Sequence, residues 1–197
     1  MNGLDYWTAQ SARYAPPHGS GFVRFTARRQ HAAVLKLLAP RGGERVLDAG
    51  CGAGLLTLEL AARGARVWAV DYCQAMVDQV RKAETVTRAD LETLSLGVES
   101  DAVVCAGSLN FLDAPRAMER LVAHTRPGGR MVVMVTRPSI AGLCYTASRK
   151  LMGVPFRLLS TRALQECGAK HDLELVAREP TLPHDIVLAF RRRGRAP

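Results

Sequence analysis

The stretch VLDAGCGAG, residues 46–54, decides the fold of this chain. Its first residues are typical of the end of a buried strand, which stops at Asp48. The run LLTLELAARG that follows, residues 55–64, predicts a helix. Between them lie three alternating glycines: Gly50, Gly52 and Gly54. This order is typical of a nucleotide-cofactor site, because glycine lets the backbone approach a ligand and the helix N-terminus presents unpaired N–H groups to it.

The spacing of the glycines indicates which kind of cofactor fits. A dinucleotide fingerprint reads G-x-G-x-x-G, and its third glycine allows the helix to pack closely on the strand. Counted from Gly50, that third position is Leu55, and the glycines run G-x-G-x-G instead. Asp48 adds a negative charge at the mouth of the turn, which suits a cationic ligand better than a pyrophosphate. An ordinary tight turn without a ligand is the alternative.

Length and composition predict one globular domain over residues 1–197, with 48% hydrophobic residues. No apolar run approaches the ~20 residues that a membrane span needs. The first residues, MNGLDYWTAQ, lack the basic and apolar regions of a signal peptide. We therefore expect a cytoplasmic protein.

The cysteines predict neither a disulfide framework nor a metal site. They are odd in number, lie far apart and form no C-x-x-C pair. The set is Cys51, Cys73, Cys105, Cys144 and Cys167. Because Cys51 and Cys105 fall at the ends of predicted buried strands, we expect them to act as small apolar side chains.

The net charge of +9 permits nucleic acid or an acidic surface as a partner. However, most arginines are scattered over predicted helix faces, which favours ordinary solvated side chains. A dense cluster occurs only at the C-terminus, where a solvated tail is expected. Its members are Arg191, Arg192, Arg193 and Arg195.

Two later acidic residues fall where a nucleoside needs hydrogen-bond acceptors. Asp71 follows the strand predicted over residues 66–70, one strand–helix–strand unit after the glycine turn. A carboxylate there can accept hydrogen bonds from both ribose hydroxyls, as in dinucleotide-binding folds. Asp90 follows the short strand predicted over residues 85–88. For each of them, helix capping is the alternative.

These features together resemble one enzyme family. VLDAGCGAG is similar to motif I of the class I S-adenosylmethionine-dependent methyltransferases, and VWAVDYC (67–73) matches the family pattern. So does the Pro-Gly-Gly turn before the apolar strand of residues 130–135. The resemblance implies a Rossmann-like three-layer α/β sandwich, whose seven-stranded, mostly parallel sheet ends in an antiparallel strand. The alternation of apolar strands and helices supports the parallel part directly.

The stretch GSLNFLDAP, residues 107–115, indicates a branch of that family. It lacks the N-P-P-Y tetrapeptide of enzymes that act on adenine or glutamine amide nitrogens, and the Pro-Cys of cytosine-C5 enzymes. It resembles the methyltransferase-11 or UbiE-like small-molecule branch. The resemblance thus implies methyl transfer to an O, N, S or C nucleophile of a small molecule, largely by proximity and alignment. An RNA or protein methyltransferase and a non-catalytic S-adenosylmethionine-binding protein are the alternatives.

The resemblance also implies which residues hold S-adenosylmethionine. Asp90 would accept from the adenine amino group, and Tyr72 and Met76 would flank the adenine, with core packing as the alternative for those two. Tyr14 would belong to an aromatic lid. The expected cofactor-binding residues are Tyr14, Asp48, Ala49, Gly50, Cys51, Gly52, Gly54, Leu55, Asp71, Tyr72, Met76, Asp90, Leu91, Gly107, Ser108 and Leu109.

The acceptor side of the site falls in two segments, a helical lid over residues 1–40 and a cap over residues 137–159. YWTAQSARY (6–14) resembles the N-terminal helix of small-molecule methyltransferases, in which aromatic rings attract a sulfonium by the cation–π effect. Packing of these rings on the core is the alternative. The expected substrate-binding residues are Asn110, Tyr145 and Phe156, although Asn110 is equally typical of a turn.

No residue stands out as a general base, and the implied reaction needs one only if the nucleophile must lose a proton. The candidates are Tyr14, His18 and His184. A His184–Asp185 pair is disfavoured, because adjacent residues of a strand point to opposite faces. His124 is expected at the surface, at the end of a helix.

Overall fold

The structure is a computed structural model that describes residues 3–14, 21–181 and 184–194. Its strands are β1 Arg45–Ala49, β2 Arg66–Asp71, β3 Thr85–Arg88, β4 Ser100–Ala106, β5 Thr125–Thr136, β6 Leu173–Pro180 and β7 Asp185–Arg192. Its α-helices are α1 Gly3–Tyr14, α2 Gly21–Leu38, α3 Leu55–Ala61, α4 Gln74–Val77, α5 Ala114–Ala123, α6 Ile140–Leu151 and α7 Thr161–Ala169. A short 3₁₀ helix covers Leu109–Phe111.

The strands form one seven-stranded sheet in the order β3-β2-β1-β4-β5-β7-β6. β7 is antiparallel to both of its neighbours, and the other pairings are parallel. This confirms the Rossmann-like sandwich with an antiparallel last strand. Chain order reverses between β1 and β4, and such switch points are where open α/β sheets bind ligands.

Helices cover both faces of the sheet because the central strands are apolar on both sides. Successive residues of β1 and β4 alternate between two separate cores. The core under α5 and α7 includes Leu47, Val103, Met118, Leu121, Met131, Val133 and Leu164. The core under α2 and α3 includes Val34, Leu38, Val46, Leu56, Leu60, Val104 and Val132. None of the described helices is both long and apolar enough to cross a membrane.

One predicted helix is shorter in the structure. The sequence predicts a helix over residues 74–82, but α4 ends at Val77. The next turns use i→i+3 hydrogen bonds, in which Gln79 donates to Met76 and Val80 donates to Val77. This tighter winding places Val80 against Gly54 of the glycine turn, where it is buried. Tertiary packing therefore overrides the helical periodicity here.

His124 is buried, so the expectation of a surface residue is wrong. Its Nε2 accepts a hydrogen bond from the Leu96 N–H at 2.9 Å, and Nδ1 lies 2.7 Å from the Arg120 carbonyl oxygen. Since Nε2 accepts, Nδ1 carries the proton and the ring is neutral. The loop that contains Leu96 covers the end of α5, and this coverage cannot be read from the helix alone.

Candidate functional site

The glycine turn uses its three glycines in two different ways. Gly50, Gly52 and Gly54 all have positive φ, at 74°, 54° and 83°. A Cβ atom on Gly50 would lie 2.2 Å from Ser108 Oγ, and one on Gly54 would lie 3.2 Å from Val80 Cα. A Cβ atom on Gly52 would meet nothing within 4 Å. The outer glycines therefore allow close packing, whereas the middle one leaves open space above the backbone.

Asp48 is a buried carboxyl beneath this turn. It is 1% exposed, and its Oδ2 accepts a hydrogen bond from Thr57 Oγ1 on α3 at 2.6 Å. Burial raises the pKa of Asp48 to about 6, while the Thr57 hydroxyl opposes that rise. A nearby cation would favour the ionised form, so this acid is suited to a positively charged ligand.

Asp71 holds the middle of the glycine turn in place. Its Oδ2 accepts from the Gly52 N–H and its Oδ1 from the Cys73 N–H, each at 2.9 Å. Burial raises the pKa of Asp71, and these backbone donors oppose the rise. The N-cap of α4 is Cys73, not Asp71. Because each carboxylate oxygen has two lone pairs, Asp71 keeps acceptor capacity for a ligand.

Asp90 combines a turn-forming role with a place on the ligand side. Its Oδ1 accepts a hydrogen bond from the Glu92 N–H at 2.9 Å, which is a local capping role. It also lines the same open space as Asp48 and Asp71. The structure thus brings all three acids to the ends of β1, β2 and β3.

A cavity of about 960 Å³ lies at the carboxyl ends of the strands and joins the two predicted halves of the site. From the expected cofactor half it is lined by Asp48, Gly50, Cys51, Gly52, Leu55, Asp71, Tyr72, Met76, Asp90, Leu91, Gly107 and Ser108. From the expected acceptor half and the candidate bases it is lined by Tyr145, Phe156 and His184. Tyr14 is the last residue of α1, but its side chain, like all of His18, lies outside the described residues.

Four expected site residues do not line the cavity. Ala49 and Leu109 are fully buried in the core beside it, and Gly54 packs on Val80. The side chain of Asn110 is also buried and is bound to backbone. Its Nδ2 donates to the carbonyls of Thr136 and Arg157, and its Oδ1 accepts from the Thr136 N–H. Asn110 therefore ties the end of β5 to the segment after α6, a structural role that is the alternative to its expected contact with the substrate.

The acceptor half has a continuous row of rings, which we call the aromatic wall. Its members, in order of contact, are Tyr6, Trp7, Phe111, Phe156, Tyr145 and His184. Successive ring centroids lie 5.0 to 5.2 Å apart, and the first four contacts are edge-to-face. Trp7 and Phe111 line the cavity. Trp7 belongs to the segment expected to form an aromatic lid, whereas Phe111 was not expected from the sequence as a binding residue.

His184 and Asp185 lie close together, although adjacent strand residues should point apart. His184 Nε2 is 3.6 Å from Asp185 Oδ2. The alternation of side chains is not regular here, because His184 lies at the very edge of β7, where its carbonyl oxygen accepts from the Arg137 N–H at 2.8 Å. Asp185 is buried and also accepts from Thr136 Oγ1 and Gln30 Nε2, each at 2.7 Å. In the sequence, only single polar residues mark this cluster: Gln30 within α2 and Thr136 at the end of β5.

Comparison with known proteins identifies the family. A family model described as a methyltransferase domain matches residues 46–129, which run from the glycine turn through α5 into β5. The chain carries a class I methyltransferase domain. Methyltransferases of this class use S-adenosylmethionine. The open face at Gly52, the buried acid at Asp48 and the acceptor at Asp71 fit such a cationic nucleoside.

Similar proteins place this methyltransferase domain among enzymes of varied substrate. The ubiquinone biosynthesis O-methyltransferase of Xylella fastidiosa is 28% identical over 148 residues, which are 70% of this chain and 60% of that protein. The ubiquinone/menaquinone biosynthesis C-methyltransferase of Syntrophotalea carbinolica is 32% identical over 136 residues, 60% of this chain and 57% of that one. The chain thus spans somewhat less than two thirds of these relatives.

A solved structure shares the fold of the methyltransferase domain over almost its whole length. It is the magnesium protoporphyrin IX methyltransferase of Synechocystis PCC 6803 with bound SAH. The TM-score is 0.77 at 20% identity, and the match covers 96% of this chain and 97% of that one. The likeness therefore extends beyond residues 46–129 to the helices that precede the glycine turn and to the last strands.

Proposed function

We propose that this chain transfers a methyl group from S-adenosylmethionine to a small-molecule acceptor. The observation that carries the proposal is the single cavity, which joins the glycine turn and its acids to the aromatic wall. Bound S-adenosylmethionine supplies a methyl group already activated by its sulfonium. The work left to the protein is to hold the acceptor in line with that methyl and to exclude water.

We assign the cofactor side to residues at or just after the ends of β1, β2 and β3. Gly52 allows close approach of the ligand, Asp71 accepts from the ribose, and Asp48 lies near the positive charge. Tyr72 and Met76 flank the adenine, with Asp90 beside it. Support comes from their common place on one cavity wall.

We assign the acceptor side to the two segments expected from the sequence. Residues 1–40 form a lid, and Leu4, Trp7 and Gln30 from this part line the cavity. Residues 137–159 form a cap that contributes Tyr145 and Phe156. Between them, His184 is the candidate general base. The Asp185 carboxylate at 3.6 Å would stabilise the imidazolium that forms when His184 takes a proton from the acceptor.

RNA or protein is the alternative acceptor, and the net charge of +9 motivates it. Five described arginines outside the cavity are paired with carboxylates. These pairs are Arg66 with Glu84, Arg126 with Asp101, Arg130 with Glu44, Arg162 with Glu166, and Arg192 with Glu99. A cytoplasmic location stays a prediction of the sequence.

Two measurements test the proposed function. Calorimetric titration with S-adenosylhomocysteine tests the cofactor site, and we expect one site per chain. Incubation with methyl-labelled S-adenosylmethionine and a fractionated metabolite pool tests transfer, and we expect label in a small-molecule fraction. Label only in RNA or protein would support the first alternative. Cofactor binding without any labelled acceptor would support the non-catalytic one.

Replacing Asp71 should weaken cofactor binding. Asp71→Ala removes a charged acceptor, and we expect a loss of roughly 1–3 kcal/mol in binding free energy by calorimetry. Asp71→Asn keeps one acceptor oxygen and should lose less. Asp78→Ala is the control, because Asp78 follows α4 but does not line the cavity. Equal affinity of wild type and Asp71→Ala, with thermal unfolding unchanged, would contradict the ribose assignment.

Cofactor affinity should depend on pH through Asp48. In the free protein the pKa of Asp48 is about 6, and a bound cation favours the carboxylate, so binding below that pH releases a proton. The affinity for S-adenosylmethionine should therefore fall as pH falls, by up to about tenfold per unit below the pKa. Calorimetric titrations from about pH 5 to about 8 measure the affinity. Repeating them in two buffers of different ionisation enthalpy measures the protons released on binding.

Asp48→Asn tests whether this pH dependence comes from Asp48 or from its neighbour Asp71. The amide oxygen still accepts from Thr57, but the side chain no longer titrates. We expect the variant to bind more weakly at neutral pH, with a much flatter pH profile. A profile as steep as that of the wild type would assign the dependence to another group.

A further inference from the structure

Arg149 is a cation on the cavity wall with spare hydrogen-bonding capacity. It lies near the end of α6, and among the described residues it is the only Arg or Lys that lines the cavity. Its Nη1 donates to the Tyr6 hydroxyl at 2.7 Å, and its guanidinium lies over the Tyr145 ring, 4.7 Å from the centroid. Its Nε is buried and has no hydrogen-bond partner in the described part of the chain.

The pairing of Arg149 differs from that of arginines outside the cavity. Arg66, Arg126 and Arg130 each pair with a carboxylate within 2.7 Å. No described carboxylate lies within ion-pair distance of Arg149, even though Asp185 lines the same cavity. Some other arginines also have an unpartnered buried Nε, but those do not line the cavity: Arg45, Arg120 and Arg137.

The fixed surroundings of Arg149 hold its guanidinium ready for a ligand. The Tyr6 hydroxyl donates to Met152 Sδ at 3.8 Å, which leaves its oxygen free to accept from Arg149. The Tyr145 ring fixes the plane of the guanidinium by stacking. A planar guanidinium with donors left over matches an oxyanion, to which arginine can present two parallel N–H groups.

The rest of the cavity limits where an anion can be placed. Its other charged residues on the cofactor side are the acids Asp48, Asp71 and Asp90, which would repel an anionic group. The aromatic wall beside Arg149 offers apolar ring surface instead, including Phe156 and Tyr145. An acceptor with an oxyanion and a flat apolar body thus has one favourable orientation, with the oxyanion at Arg149 and the body along the wall.

We propose that Arg149 binds an oxyanion, a carboxylate or a phosphate, carried by an acceptor with a planar apolar body. This inference rests on the proposed function, because it assigns the acceptor side of the same cavity. Tyr145 contacts both Arg149 and His184, so the anchor and the candidate base share one ring. Arg149 holds the oxyanion at one end of the acceptor and thereby orients the nucleophile at the other end. This makes Arg149 a specificity-determining residue.

Three probes that share a naphthalene ring test the proposal: 2-naphthoate, 2-naphthyl phosphate and 2-naphthamide. Their affinities are measured by calorimetry on the full chain, with and without S-adenosylhomocysteine. We expect the anionic probes to bind at least about tenfold more tightly than the neutral amide, since a charged pair outweighs a neutral hydrogen bond. The ratio between naphthoate and naphthyl phosphate tells which oxyanion the site prefers.

Arg149→Gln should remove that preference, and Lys150→Gln should not. Lys150 is the next residue of the same helix, but it is exposed and does not line the cavity. Lys150→Gln therefore makes the same change in net charge at a position outside the proposed site. We expect Arg149→Gln to lower the affinity for the anions to that of the amide and to leave the amide unchanged. An equal loss for all three probes would mean a packing role only and would overturn the proposal, as would equal affinities in the wild type.

Failure of this inference can be told apart from failure of the proposed function. If S-adenosylhomocysteine does not bind the wild type, the cofactor assignment fails whatever the probes do. If it binds and all three probes bind alike, only the assignment of Arg149 fails. Arg149→Gln should also keep the wild-type affinity for S-adenosylhomocysteine, because the residue lies on the acceptor side.

Discussion

Gly52→Val is expected to abolish cofactor binding while the protein stays folded. A Cβ atom at this position meets no protein atom within 4 Å, so the two methyl groups of valine would project into the open space of the cavity. That space is where the proposed ligand approaches the backbone. We expect affinity for S-adenosylhomocysteine to fall more than about 100-fold, or about 2.7 kcal/mol. Calorimetry measures the affinity, and circular dichroism checks the fold.

Gly97→Val is a matched control for this variant. Gly97 also has positive φ, at 68°, and a Cβ atom on it also meets nothing within 4 Å, but it does not line the cavity. Both variants carry a β-branched residue in the left-handed region, which costs about 1–3 kcal/mol. Both should therefore lose thermal stability by similar amounts, and only Gly52→Val should lose binding. If both bind S-adenosylhomocysteine as the wild type does, the ligand does not approach at the glycine turn.

The cofactor half of the site could be predicted because its signals are local. Glycines at alternate positions after a strand indicate a turn with close contacts, and acids at strand ends indicate acceptors at one edge of the sheet. Parallel strands bring Asp48, Asp71 and Asp90 to the same edge without any knowledge of side-chain packing. Local patterns also predicted β3 over Thr85–Arg88, whereas the antiparallel pairing of β7 was implied by the family resemblance.

The acceptor half could be predicted only in part. Tyr145, Phe156 and His184 were expected and line the cavity, but the fold alone brings the whole set of rings together. The rings of the aromatic wall come from α1, the 3₁₀ helix, α6, the segment after it and the start of β7, so no short window of sequence contains the pattern. Asn110 shows that sequence position alone also does not tell which partners a side chain binds. Its place in the stretch after β4 suggested a substrate contact, but its Nδ2 donates to the carbonyls of Thr136 and Arg157 and its Oδ1 accepts from the Thr136 N–H.

The His184–Asp185 pair shows how residues at the edge of a strand can depart from the rule for its interior. Side chains alternate between two faces within a regular strand. His184 lies at the edge of β7, where it lines the cavity and stacks on Tyr145 at an interplanar angle of 14°. The sequence pattern alone does not give the side-chain directions at such an edge, so it disfavoured a pair that the structure contains.

His184→Gln is expected to lower the rate of methyl transfer by about 100-fold if the acceptor must lose a proton, the lower end of general-base effects. The effect should fall on kcat, because His184 is proposed to act on the acceptor's proton and not to hold the cofactor. The acceptor fraction found with labelled S-adenosylmethionine provides the assay.

Asp185→Asn and His171→Gln complete this test. Asp185→Asn keeps the shape of the side chain and an oxygen to accept from Thr136, but removes the charge that would stabilise the imidazolium. Its rate should fall less than that of His184→Gln, because the imidazole stays in place and only the charge that stabilises its protonated form is lost. His171→Gln should behave as the wild type, since His171 lies beyond α7 and does not line the cavity. A wild-type rate in His184→Gln would mean that the acceptor's nucleophile needs no base from this chain, as a thioether or an already ionised oxygen would not.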